Sequence, residues 1–305
     1  MRSDFHGPVR KLINLLYNLL YNQLGDPNGT FLSDFQSHGF HGRLLEISCF
    51  AYLKHAGLVL DRTFDRPDFI AHKGAATVAI EVTTTNPADN ADRDVSVLRM
   101  ENLSEAEVFE RASIDFPKRT VRSLTKKLRH RYHELPHVAG HPLVVVVAPF
   151  YEAGSNFFVD ESLIPSLYEV EDEAPVTPFF TRPDAAAISA VLYCNAFTVS
   201  RFWRLADPDW TAANFITERS GYGLFDTRPG ILEFTYRLGH RATPRETWSE
   251  GVTLFLNPNA TTPLPEGMLP ASSVFALEGR DIVRTVRGFH PLASSQRFCQ
   301  RPTSA

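Results

Sequence analysis

The chain has 305 residues, with 31 Lys and Arg against 35 Asp and Glu, a formal net charge of −4. Hydrophobic residues at 43% and charged residues at 22% are globular proportions, which exclude a wholly disordered, collagen-like or coiled-coil chain; a mean hydropathy of −0.17 argues against a multi-span membrane protein. The mild acidity excludes a uniformly basic coat for nucleic acid but leaves room for a local basic patch.

The first predicted element is a helix over 11–24. Asn14, Asn18 and Asn22 recur every four residues and form one polar stripe on a helix whose other faces are Leu, Ile and Tyr. No small-residue cleavage site follows, and turn residues gather at 25–29, so the segment reads as an amphipathic helix packed on the body rather than a signal peptide. A second helix is predicted over 42–57, with Gly57 as its stop. Three β-type runs follow at 58–60, 68–71 and 77–83, with a hairpin turn at 72–76. A further helix is predicted within 104–134, with Val121, Leu124, Leu128, Tyr132 and Leu135 on one face and Pro136 and Gly140 ending it. The run at 143–148 is aliphatic throughout, the pattern of a strand buried on both faces, and far too short to span a bilayer.

Acid and proline collect over 150–180, which marks a boundary or a surface excursion. Beyond it, 185–195 and 253–256 read as core elements, the prolines of 258–270 as loops, and 291–305 as a loose tail. The strings around Trp248 and at Gly221-Tyr222-Gly223 carry no chemistry that composition alone explains. The class is α/β, divided into an N-terminal helical segment (1–42), a core (43–150) and a C-terminal extension packed on that core (151–305). Cys49, Cys194 and Cys299 are odd in number and far apart, so they support neither a disulfide framework nor a metal site, and a reducing cytoplasm is the expected compartment.

The carboxylates carry the chemistry. Glu46 lies among apolar residues of the second helix, Asp68 opens a strand after Pro67, and Glu81 sits inside a strand between Ile80 and Val82. Strand alternation puts Ala79, Glu81 and Thr83 on one face. An acid in that position is costly to bury unless paired or bound to a cation.

Pro67-Asp68, twelve intervening residues, then Glu81-Val82-Thr83, with Glu46 upstream, resembles the PD-(D/E)XK nuclease superfamily over about 43–149. The resemblance implies a restriction-endonuclease-like αβββαβ core, a mixed sheet flanked by helices. It implies a metal-dependent phosphodiesterase acting on nucleic acid, most directly a DNA endonuclease, with Mg²⁺ or Mn²⁺ held by Asp68 and Glu81 and aided by Glu46. A homodimer is among the states such enzymes adopt. The third signature position departs from the pattern: Thr83 stands where the superfamily has lysine. Some branches supply that lysine from the following helix, where this chain offers Lys126 and Lys127. Lys127 borders the face defined by Leu124 and Leu128, whereas Lys126 points away from it, so Lys127 is favoured; Lys73, in the hairpin turn, is a weaker third.

The stretch 117–133 contains Lys118, Arg119, Arg122, Lys126, Lys127, Arg129 and Arg131 and no acid, a footprint for phosphate; Arg43, one turn before Glu46, is placed to join it. Two other readings stand. The fold can be a retired nuclease that binds nucleic acid or a protein without cutting, as Thr83 suggests, or the three acids can be ordinary structural ones. His130, His133, His137 and His141 lie close in sequence, but Pro136 and Gly140 break the geometry a zinc site needs, so they read as surface histidines.

Overall fold

Leu143–Ala148 is buried at every position, and the architecture is organised around it. The computed structural model describes residues 7–26, 29–37, 39–61, 63–85, 104–149, 158–170, 177–206, 215–238 and 245–300. In chain order the helices are α1 (Gly7–Leu24), α2 (Phe31–Phe35), α3 (Phe40–His55), α4 (Glu105–Glu110), α5 (Phe116–Leu128), α6 (Ile164–Leu167) and α7 (Val199–Leu205). The strands are β1 (Val59–Asp61), β2 (Phe69–Lys73), β3 (Ala76–Thr84), β4 (Leu143–Ala148), β5 (Ala190–Tyr193), β6 (Phe215–Phe225), β7 (Arg228–Arg237), β8 (Thr253–Leu256), β9 (Ser273–Glu278), β10 (Asp281–Val286) and β11 (Phe289–Gln300).

The protein is a mixed α/β structure. An eight-stranded sheet runs β1-β2-β3-β4-β5-β8-β9-β10. Its first three strands are antiparallel, β3, β4 and β5 run parallel, and β8 turns antiparallel to β5. Parallel strands bury both faces under helices, which is why β4 reads as an unbroken Val run. Val144, Val146 and Ala148 pack with Leu45, Ile47 and Phe50 of α3 on one side. Val145 and Val147 pack with Leu124 and Leu128 of α5 on the other. Each fully buried valine stabilises the fold by ~1.5–3 kcal/mol.

The sequence placed most of the first half within a few residues. The predicted helix over 104–134, however, is broken. Residues Arg111–Asp115 form a wide π turn ahead of Pro117, whose missing N–H and bulky ring disturb regular i→i−4 bonding there. The helix then ends at Leu128, and Arg131 adopts a left-handed conformation (φ 52°) that turns the chain before Pro136 is reached.

The second half differs more. The sheet does not stop at 150: β5, β8, β9 and β10 extend it, so the expected division there is not a boundary of the sheet. Nor is 150–180 a surface excursion where described, because Leu163, Leu167, Phe179 and Phe180 are core residues. The expected tail is also a strand as far as Gln300, since β11 pairs along β6 in a separate three-stranded sheet, β11-β6-β7. The Gly221-Tyr222-Gly223 string gains a reason here: a Cβ on Gly221 would stand 2.1 Å from the Ala293 carbonyl oxygen, so only glycine permits that strand approach. Trp248 packs edge-on against Phe202. Helix α1 buries Val9 and Leu20 and leaves Asn14, Asn18 and Asn22 exposed, as its stripe predicts. Among the described residues no helix is long and apolar enough to cross a membrane.

Candidate active site

Asp68 and Glu81 meet because of the β2–β3 hairpin. The ladder runs from Lys73↔Ala76 at the turn to Phe69↔Ile80. One step further, Asp68 falls opposite Glu81, where the pairing opens. The Asp68 N–H donates to Glu81 Oε2 (3.3 Å), and the Val82 N–H donates to Asp68 Oδ2 (2.7 Å). Where β3 runs beyond its β2 partner, while still paired with β4, its β2-facing N–H is thereby satisfied by a side chain.

Glu81 is a buried acid, 4% exposed, and its second oxygen carries two donors. Lys127 Nζ on α5 lies 2.5 Å from Oε1, and the Tyr132 hydroxyl donates to the same atom at 2.9 Å. Tyr132 reaches this place because the chain reverses at Arg131 after α5 ends; the sequence pattern read it only as an apolar position. Its hydroxyl is pushed above the usual tyrosine range by burial and then by the neighbouring Glu81 charge. The only advance signal was a phenol at the end of a basic helix.

Glu46 enters from α3, on the other side of the sheet. Its Oε2 accepts from Arg43 Nη1 (2.8 Å), and Arg43 also binds Asp34 Oδ2 (2.6 Å). Asp68 feels all of this charge. Burial first, then Glu81 and Glu46, push its carboxyl up to about 8, while the Val82 N–H and Lys127 offset only part of the rise.

Several of these groups line a cleft of about 850 Å³. Arg43 and Glu46 line it from α3, Asp68 and Val82 from the hairpin, and Arg119, Arg122, Lys126 and Lys127 from α5. Lys126, expected to point away, lines the cleft as well and stays exposed; Lys127 is the lysine that bonds to Glu81. Thr83 lines the cleft with Thr84 and Thr85. Lys73 does not join them, since its Nζ donates to the Gly267 carbonyl (3.0 Å). The four histidines do not form a cluster: His137 stacks on Phe64 with ring centroids 3.7 Å apart, and His130 stacks on Tyr132. Among the described residues no three His, Cys, Asp or Glu side chains are grouped closely enough to hold a metal ion by themselves.

Chemically, the cleft combines the Glu46 and Asp68 carboxylates with a wall of cations. It suits a ligand that brings both a hard cation and an anion. No family model, curated protein or solved structure matches this chain.

Proposed function

We propose that the protein is a divalent-cation-dependent phosphodiesterase acting on nucleic acid, most directly DNA, built on a restriction-endonuclease-like core. The observation that carries this reading is that Glu46, Asp68 and Lys127, from separate elements, line one cleft walled by Arg119, Arg122 and Lys126, with Glu81 bonded to both Asp68 and Lys127. The order α3, β1, β2, β3, α4, α5, β4 supports it, with α4 running through the π turn into α5, as does the opening of the β2–β3 ladder at Asp68.

Mg²⁺ or Mn²⁺ suits the donor set. Oxygen ligands are hard, and the raised Asp68 carboxyl marks a surplus of negative charge that a cation would relieve. Asp68 and Glu81 would hold the ion, with the Val82 carbonyl on the same strand. The bound ion would lower the pKa of an attacking water and offset charge on the phosphate. Lys127, fixed by Glu81, supplies the positive charge that the superfamily places at the position occupied here by Thr83. Tyr132 holds Glu81 Oε1 from the protein side, so the carboxylate keeps one orientation. The exposed cations of α5 bind the phosphate backbone and position the strand over the acids.

A second reading has its own observation: Thr83 replaces the motif lysine, and Lys127 is engaged with Glu81. On that reading the cleft binds nucleic acid and does not cut it. Incubation with plasmid and single-stranded DNA in Mg²⁺, Mn²⁺ or EDTA separates the two. Metal-dependent cutting that falls about 10²–10³-fold in Glu81→Ala, the scale for removing a preorganised electrostatic group, is expected. Salt-dependent binding with no cutting under any condition would replace the enzyme with the binder.

A further inference from the structure

Glu46, which lines the cleft, and Glu81, which is bonded to the cleft residues Asp68 and Lys127, each carry an internal cation: Arg43 on Glu46 and Lys127 on Glu81. The two pairs differ in build. Lys127 meets Glu81 with a single ammonium. The Arg43 guanidinium is divided between two acids. Nε and Nη2 hold Asp34 Oδ2 at 3.3 and 2.6 Å, whereas Nη1 alone reaches Glu46 Oε2 at 2.8 Å. Thr30 Oγ1 adds a contact on the Nη2 side (3.3 Å), and the Phe31 ring supports the guanidinium with its centroid 5.1 Å away. The group is therefore hinged on the α2 side. A small rotation keeps Asp34 and breaks the Nη1 contact to Glu46.

Arg43 is also placed to meet a ligand. It lines the cleft together with Arg122 and Lys126, and its side chain is 25% exposed. A phosphate offers Nη1 a partner at least as good as a carboxylate, because the planar guanidinium matches its oxygens and is weakly hydrated.

We propose that Arg43 is a switch that couples phosphate binding to divalent-cation binding in this cleft; the proposal rests on the nuclease reading above. In the free protein Nη1 caps Glu46. A nucleic-acid phosphate draws Nη1 to itself while Nε and Nη2 remain on Asp34. With Nη1 withdrawn, the Glu46 negative charge acts more strongly on Asp68 and Glu81 and strengthens their hold on the cation. The phosphate takes up the positive charge of Arg43, and the cation takes up the negative charge of Glu46. Each ligand thus prepares the site for the other, and linkage makes the gain equal in both directions. A site of this kind holds metal weakly until its substrate arrives.

The test is Mn²⁺ binding, followed by the EPR signal of the free ion, on the full chain with and without a short phosphorothioate-linked DNA duplex that resists cutting. The duplex is expected to raise the Mn²⁺ affinity of the wild type about 10-fold, within the usual range of coupling between sites. Arg43→Gln is expected to bind Mn²⁺ without duplex about as tightly as the wild type does with it, and to gain little from adding duplex. Arg43→Lys keeps a cation beside Glu46 and retains most of the coupling, which separates loss of the switch from loss of folding. Equal Mn²⁺ affinity with and without duplex, in a wild type that still cuts DNA with Mn²⁺, overturns the switch and leaves the nuclease reading intact. Absence of both Mn²⁺ binding and cutting in every form overturns the nuclease reading and the switch together.

Discussion

Two of the buried charge clusters among the described residues are tuned in opposite directions. Between α7 and the small sheet, Arg201, Arg204 and Arg219 surround Glu246 and Glu250, three cations to two acids. Burial alone would raise Glu246, but Arg204, Arg201 and Arg219 outweigh it and hold the carboxyl down at about 2. Glu250, which pairs with Arg219, is raised by burial and by the Glu246 charge. Around the cleft the arrangement differs: among the described residues Arg43 pairs with Glu46 and Lys127 with Glu81. Asp68, without a cation of its own, rises to about 8. The first cluster is a fastener whose central acid is saturated. The second leaves Asp68 without an ion pair among the described residues, and on the nuclease reading that is the carboxyl a ligand cation would relieve.

The sharpest way to break the comparison is to open the fastener. Glu246→Leu leaves Arg201, Arg204 and Arg219 buried with their shared acid gone, and removing one partner of a buried ion pair costs ~3–5 kcal/mol. Urea unfolding should show a loss of that size. Glu46→Gln, in the cleft, should change stability by less than about 1 kcal/mol, because its pair with Arg43 is partly exposed and Arg43 keeps Asp34. Equal losses in the two variants would show that the clusters do not differ as described.

The next effect follows from protons. Asp68 binds its proton far more tightly when folded, at about 8, than at its ordinary value of 3.8. Between those two values the native state holds more protons than the unfolded state, so the contribution of Asp68 to stability falls as pH rises through that window and is level above it. Asp68→Asn lacks this decline, and its amide oxygen still accepts from the Val82 N–H. In EDTA, the variant should gain on the wild type from pH 5 to pH 8 by up to ~1.4 kcal/mol per pH unit. The Glu246 carboxyl behaves in the opposite sense: its stabilisation is present above its ordinary value of 4.5 and is lost as pH falls toward 2. Parallel stability curves for wild type and Asp68→Asn would remove the raised Asp68 carboxyl on which the contrast rests.

Legibility in the sequence divides along the same line. The spacing between Asp68 and Glu81 is a hairpin written out: five ladder pairs and a two-residue turn put them opposite each other, so period-2 alternation and turn chemistry were enough. Lys127 was readable from helical spacing because Leu124 and Leu128 fix the buried side of α5. Tyr132 was not readable, since its position depends on a left-handed turn at Arg131, a conformation that side chains other than glycine seldom adopt and that sequence seldom announces. The fastener was equally hidden. Glu246 lies more than 40 positions from Arg201 and Arg204, and only the docking of the small sheet brings them together. The continuation of the sheet past 150 was lost for the same reason: β5 and β8 are four-residue strands whose partners are set by tertiary pairing rather than by any local signal.

Tyr132 then gives the smallest expected effect and the finest distinction. It shares Glu81 Oε1 with Lys127, so on the nuclease reading it would act on the cation through Glu81, as a positioning residue. Tyr132→Phe keeps the ring, its stacking on His130 and the Lys127 contact, and removes one hydrogen bond, worth ~1 kcal/mol of stability. Groups that orient a metal ligand typically alter metal affinity 10–100-fold when lost. With Lys127 still in place, the expected change in Mn²⁺ affinity is at the lower end, about 10-fold. DNA binding in EDTA should not change, because the hydroxyl faces Glu81 rather than the α5 cations. A double-mutant cycle with Lys127→Met decides whether the two donors act together. A combined loss well above the sum of the single losses means that either donor alone can hold Glu81, and that the site has a reserve against losing one of them. Simple additivity means that each donor contributes independently, and an unchanged Mn²⁺ affinity in Tyr132→Phe would reduce Tyr132 to the apolar position its sequence pattern suggested.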